Sequence, residues 1–133
     1  MGNNRFLISL VAFAIGTIYF AVRIFYFGGE FVFDQSKVLR YLIIVPIAEE
    51  IIFRGVAQEF LERKSMKNFL FISMANLTVS VMFSLVHFTV DDPMSALVVF
   101  VPSLIFGTIY SSYRSVIPCI LCHTYYNLNV MII

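Results

Sequence analysis

The sequence predicts an all-α fold, a polytopic transmembrane bundle of about five helices with a polar cavity between them. Three observations lead there. The chain has 133 residues, of which 60% are hydrophobic and 13% charged, against about 45–50% and about 25% in soluble domains. Apolar runs recur along it, separated by short polar connections. At roughly 20 residues per crossing, four or five helices use up the length. Finally, ionisable residues lie inside the apolar runs, where hydrocarbon tolerates them only if they face one another or a wet cavity. The net charge of +1 gives no electrostatic case for nucleic acid. Fifteen Phe and seven Tyr with no Trp suit lipid-facing and interfacial surfaces.

The chain reads as one membrane domain over 1–133, with an N-terminal anchor in 1–30 and core helices in 38–133. Phe6 to Phe27 is the first crossing. It is too long for a signal-peptide core, and no A-x-A site follows. Arg23 is expected to snorkel near its end, and Gly28-Gly29 to break it. The connector 30–37 offers Asp34 or Ser36 as a cap. The second helix is placed at 38–63. Pro46 removes a backbone bond, frees the carbonyl of Leu42 and predicts a bend. Beyond Gly55 the helix turns amphipathic, with Gln58, Glu59, Glu62, Arg63 and Lys64 expected at the water boundary. The third crossing is Phe69 to Phe88. An acidic turn with Asp91-Asp92 follows. The fourth crossing is 94–110, interrupted by Pro102 and Gly107. The fifth runs from Val116, with Pro118 in its first turn. Asn76-Leu77-Thr78 matches a glycosylation sequon, which has no meaning within a membrane helix. Cys119 and Cys122 lie in an apolar run and read as small packing residues.

Arg5, Arg63, Lys64, Lys67 and Arg114 fall on one side of a five-crossing arrangement. Lys37, Arg40 and Asp91-Asp92 fall on the other. The positive-inside rule then places the N-terminus in the cytoplasm and the C-terminus outside.

The chemistry concentrates in Pro46-Ile47-Ala48-Glu49-Glu50-Ile51-Ile52-Phe53-Arg54-Gly55. Each charge at the centre of a membrane helix costs roughly 2.5–3.5 kcal/mol on insertion scales. Glu50 and Arg54 are four apart and can pair along one face. Glu49 lies about 100° round the helix and is left for another neighbour, expected to be His87. The only histidines, His87 and His123, are both in apolar runs, and His123 shares a helix face with Asn127. A carboxylate, two imidazoles and an amide meeting in one cavity can hydrolyse a peptide bond. Glu49 would deprotonate water and His87 would hold or polarise it. His123 and Asn127 would donate to the oxyanion.

Glu49-Glu50-x-x-x-Arg54, Phe83-x-x-x-His87 and His123-x-x-x-Asn127, in that order on successive helices, resemble the CPBP family of CAAX-processing and bacteriocin-processing intramembrane endopeptidases. Pro46 and Phe53-Arg54-Gly55 resemble its first motif. The resemblance covers 38–133 and implies a glutamic-type intramembrane endopeptidase without cofactor. Glu49 and His87 activate water, His123 and Asn127 form the oxyanion site, and Glu50 and Arg54 support them. It also implies a membrane-associated peptide or protein substrate and the lipid bilayer as partners, in a multi-pass protein of a prokaryotic cytoplasmic membrane. Many members have more helices, so a homo-oligomer or a partner chain is expected as a route to completing the site. Two other readings stand beside it. One is a zinc metalloprotease built on Glu49, His87 and His123, although the H-E-x-x-H spacing is absent. The other is a non-catalytic immunity or scaffold protein that binds a membrane peptide.

Overall fold

The structure, a computed structural model, describes residues 2–64, 68–69, 72–89 and 93–132. Among these residues five helices carry the fold. The expected Lys67 and Asp91-Asp92 lie outside the described residues. Helix α1, Gly2–Phe25, is a run of Leu, Ile, Ala and Phe without proline. It ends where Gly28 turns left-handed at φ +69°, a conformation that costs glycine nothing. Asn4–Phe25 is long and apolar enough to cross a membrane, and so is Pro93–Tyr113. Only 11% of the first of these windows is buried, so α1 turns most of its surface outward. Arg23 Nη2 donates to the Ile132 carbonyl at 3.1 Å, tying the end of α1 to the end of the described chain.

Helix α2 is continuous over 35–64, three residues longer at its start than the sequence suggested. The Asp34 carboxylate caps it, accepting from the Ser36 and Lys37 backbone amides at 2.8 and 3.2 Å. Hydrogen bonding, first of all from the Ser36 hydroxyl, holds this exposed carboxyl below its usual range. Pro46 does not break α2. Instead the turns on either side of Val45–Glu50 widen to the π register, over Val38–Ile44 and Ile51–Gln58.

A two-residue antiparallel pair, Asn68–Phe69 with Ile72–Ser73, precedes α3, Met74–His87. The third crossing is thus shorter than the span Phe69 to Phe88 suggests. Ser73 caps it by accepting from the Asn76 amide. Its 14 residues span about 21 Å, less than a hydrocarbon core of about 30 Å. Helix α4, Pro93–Tyr113, is interrupted at Val99. Pro102 lies in the first turn after that break and accounts for it, having no amide proton to return to Val98. Gly107, by contrast, does not interrupt the helix. A Cβ there would stand 1.8 Å from Asn76 Oδ1, so Gly107 is the notch that seats the Asn76 amide between α3 and α4. Arg114, at φ 55°, ends α4. Helix α5, Ile117–Asn127, carries Pro118 at its start and continues as a 3₁₀ turn, Leu128–Met131.

The buried core gathers α1, α4 and α5 through Ala12, Phe106, Ile109, Tyr110, Cys119 and Tyr126. Polar links lock the same helices. Tyr126 Oη donates to the Ala12 carbonyl at 2.8 Å, and Tyr113 Oη donates to the Arg5 carbonyl at 3.2 Å. Arg114 bridges Glu59 and Glu62 of α2. The start of α1, the end of α2 and the end of α4 therefore share one end of the bundle. The end of α1 and the residues after α5 share the other, joined by Val32 N–H to the Met131 carbonyl at 2.8 Å.

Candidate functional site

Helix α2 presents two stripes to the protein interior. The first is Glu50, Arg54, Gln58 and Glu62, each four residues from the last. Glu50, Arg54 and Gln58 are fully buried. Arg54 Nε donates to Glu50 Oε2 at 3.1 Å, the pairing expected from the i,i+4 spacing. Its Nη2 donates to the Ser103 carbonyl and hydroxyl at 3.1 and 2.8 Å, and its Cζ lies 5.7 Å from the centre of the Phe83 ring. Ser103 donates to Ser80, and Ser80 to Asn76 Oδ1, both at 3.1 Å. Ser80 and Ser84 act as interhelical links, the latter donating to the Ala96 carbonyl at 2.6 Å.

Gln58 corrects the expectation of an exposed tail. Its amide nitrogen donates to Glu62 Oε1, the Gly107 carbonyl and Ser111 Oγ at 2.8–3.0 Å. Gln58 turns inward because α4 offers acceptors to match it, while Arg63 beyond it stays exposed. Desolvation makes such matching obligatory.

The second stripe is Arg40, Tyr41, Val45 and Glu49. These residues line a cavity of about 710 Å³, well within the size of ligand sites. His87 from α3 and His123 and Asn127 from α5 line the same cavity. All four residues expected to carry chemistry thus face one space. Glu49 Oε2 has His123 Nε2 at 3.7 Å. His123 is thus the nearest described partner of Glu49 from another helix, and His87 faces the same cavity.

Each of the three other groups is held from behind. His123 Nδ1 pairs with Glu50 Oε1 at 2.9 Å. An ionised carboxylate only accepts, so this contact makes Nδ1 the protonated nitrogen and turns Nε2 toward Glu49. The His123 ring stacks on Phe106, with centroids 4.9 Å apart and planes 20° apart. His87 Nδ1 lies 2.9 Å from the Phe83 carbonyl. That carbonyl can only accept, which leaves His87 Nε2 as the free nitrogen. Asn127 Nδ2 donates to the Tyr41 carbonyl at 2.9 Å, which occupies one of its two amide protons.

The availability of that Tyr41 carbonyl follows from Pro46. In the π turn, Val45 N–H bonds the Arg40 carbonyl rather than that of Tyr41. The next amide would be that of residue 46, and proline has none. The carbonyls of Tyr41 and Leu42 are therefore both released. Helix α5 takes both, Tyr41 by Asn127 and Leu42 by Thr124 Oγ1 at 2.9 Å. The freed Leu42 carbonyl is legible from Pro46 alone. Thr124 was missed, because a threonine three residues before the end of an apolar helix carries no signal until its partner is known.

Among the described residues no three His, Cys, Asp or Glu side chains are grouped to hold a metal ion. Cys119 and Cys122 are free thiols, and Cys119 packs with Sγ 3.4 Å from the Phe106 carbonyl. A second cavity of about 350 Å³ lies between α1 and α4 and is lined by Leu, Ile, Val and Ala with a single Thr. It has no group for acid, base or nucleophile.

Compared with known families, residues 31–129 match the model of the type II CAAX prenyl endopeptidase Rce1-like family. No curated protein and no solved structure matches the chain.

Proposed function

Because this chain belongs to the Rce1-like family of type II CAAX prenyl endopeptidases, a family of helical membrane proteases, we propose that it is a glutamic-type intramembrane endopeptidase. Its substrate is the tail of a membrane-associated peptide or protein, and the bilayer delivers that tail. The observation that carries the reading is the single cavity shared by Glu49, His87, His123 and Asn127 from three helices.

In this mechanism water sits between the Glu49 carboxylate and the free Nε2 of His87. Glu49 takes one proton as the oxygen attacks the scissile carbonyl carbon, a role worth about 10²–10⁴-fold in rate. The carbonyl oxygen becomes an oxyanion. The second amide proton of Asn127 donates to it, with Tyr41 fixing the amide plane. His123 donates from Nε2 when both its ring nitrogens carry protons, with Glu50 behind it as counter-charge. Such donors are worth about 10²–10³-fold each. The carbon–nitrogen bond then breaks, and the protonated Glu49 returns its proton to the leaving amine. Glu50 and Arg54 support this wall of the cavity without touching the reacting atoms.

The zinc alternative draws on the same Glu49, His87 and His123. The donor set argues against it, because Asn127 on the same cavity wall is a poor zinc ligand and the H-E-x-x-H spacing is absent. The scaffold alternative leaves the held orientation of three polar side chains without a purpose. We further propose a multi-pass protein of a prokaryotic cytoplasmic membrane, its N-terminus cytoplasmic.

The test is mass spectrometry of membrane peptides from cells expressing the parent or Glu49→Gln. A peptide pair that changes only with Glu49 supports the proposal and identifies the bond. Identical peptide profiles, with the purified parent inert on prenylated tails, overturn it.

A further inference from the structure

We propose that the connector after α1 is an interfacial anchor, whose aromatic rings lie in the headgroup layer of the bilayer and hold one end of the reaction cavity at that depth. This role is separate from the reaction proposed above. Five of the nine residues from Phe25 to Phe33 are aromatic: Phe25, Tyr26, Phe27, Phe31 and Phe33. All five are between 55% and 86% exposed. Tyr26 and Phe27 meet edge to face, with ring centres 5.2 Å apart. The backbone beneath the rings is tied down. Gly29 N–H bonds the Arg23 carbonyl at 3.1 Å, and Val32 N–H bonds the Met131 carbonyl at 2.8 Å. Phe31 bridges Ile132. The rings are therefore carried outward on a fixed segment.

Only one of the three surroundings open to this segment suits it. From 28 to 34 the backbone is irregular apart from the bridge at Phe31, and lipid-exposed irregular backbone does not occur within hydrocarbon. Glu30, exposed in the same segment, is excluded from hydrocarbon as well. Bulk water is no better, because five clustered rings form the kind of contiguous apolar patch that marks a binding surface. The interface is wet enough for the backbone and Glu30, and apolar enough for the rings. The position agrees. The apolar span Asn4–Phe25 ends at the first of the five rings, so the patch begins where the crossing stops. The same end carries part of the cavity wall, Tyr19, Asn129 and Val130. Tyr19 lies six residues before Phe25 on α1, about 9 Å at the helical rise. Asn129 and Val130 directly precede the Met131 that Val32 bonds. Anchoring the connector thus holds this end of the cavity just below the headgroups, the level at which the peptide part of a lipid-tethered tail leaves the acyl layer.

The chain contains no Trp, so a single introduced tryptophan reports its own depth. Phe27→Trp and Phe33→Trp, on either side of Gly28-Gly29, are each made in the full chain and reconstituted in phosphatidylcholine vesicles. Ile18→Trp, on the exposed surface of α1, is the reference within hydrocarbon. Melting temperatures at the parent value certify the fold, and if either connector variant misfolds the other decides. Quenching is measured with lipids brominated near the headgroup end of the acyl chain, with lipids brominated near its terminus, and with iodide in the buffer. The two connector tryptophans should lose most intensity to the shallow bromine and less to the deep bromine and to iodide. Ile18→Trp should lose most to the deep bromine. Adding Phe27→Ser and Phe33→Ser to Ile18→Trp should change its ratio of deep to shallow quenching, because α1 loses the stop that sets its depth. Strong iodide quenching without a bromine effect means a connector in water and overturns the proposal. Connector tryptophans as deep as Ile18→Trp overturn it too, and so does an unchanged ratio in the serine variant. Protection from all three quenchers identifies a contact between two copies of this chain instead, and equally overturns it.

Discussion

The two stripes of α2 differ in how completely their polar groups are matched. Along Glu50, Arg54 and Gln58 all three side chains are fully buried and each bonds to a neighbour, with Arg54 Nη1 and Gln58 Oε1 the two atoms left without a partner. Along Arg40 and Glu49 the polar groups face open space, and the nearest described contact of Glu49 is a ring nitrogen 3.7 Å away. One helix therefore provides both a scaffold face and a cavity wall, offset by about 100° per residue. A buried side chain bonded to its neighbours stabilises, and one that faces a cavity keeps bonds to spare.

The most direct way to break this contrast is Glu49→Gln. Turnover should fall about 10²–10⁴-fold while the melting temperature stays at the parent value, read by thermal scanning of the gel-filtered protein. His87→Ala should match it, and the double variant should be little worse, because the two groups act on one water. Unaltered turnover in Glu49→Gln, with loss in a well-folded Glu50→Gln, would exchange the roles of the stripes.

Next in size are Glu50→Ala and Arg54→Ala. Each leaves an uncompensated buried charge, costing about 3–5 kcal/mol. Folded yield should drop in both, and activity per folded molecule much less. A smaller effect is expected at Asn127→Ala, about 10²–10³-fold in turnover. Thr124→Val removes the neighbouring carbonyl bond and should lower stability while leaving turnover per folded molecule nearly intact. Gly107→Ala sharpens the scaffold side further. A methyl group 1.8 Å from Asn76 Oδ1 forces α3 and α4 apart, at about 1–3 kcal/mol of stability.

The smallest change is at Asp34→Ala, outside both stripes. The folded carboxyl is held low by its hydrogen bonds. Its stabilisation is therefore present above the ordinary carboxylate pKa and lost as pH falls through the lowered folded value. Melting curves of parent and Asp34→Ala should differ at neutral pH and converge in acid.

Much of the site could be read from spacing. The i,i+4 pairing of Glu50 and Arg54 is a property of one helix, and the gathering of three polar helices follows from the cost of burying their groups singly. The Glu49–His123 contact was not legible, because it depends on which α5 face docks against α2. Gln58 reads as a surface residue taken alone, and the Gly107 carbonyl and Ser111 hydroxyl, on a helix far along the chain, make its burial favourable. Gly107 itself looks like a helix breaker when considered alone, and becomes a packing notch once Asn76 stands opposite. The unpartnered Leu42 carbonyl could be foreseen. The release of Tyr41 as well could not, because it needs the π register.

The paired carbonyls of Tyr41 and Leu42 also bear on how the protein is made. In hydrocarbon an unsatisfied backbone group costs several kcal/mol, and apolar side chains gain nothing by leaving lipid for one another. Thr124 follows Leu42 by 82 residues, about 4–16 s of synthesis at 5–20 residues per second. Throughout that interval α2 carries two open acceptors that only its last partner can close. Pro46 thus makes the nascent bundle wait for α5, the helix whose Thr124 and Asn127 close both carbonyls.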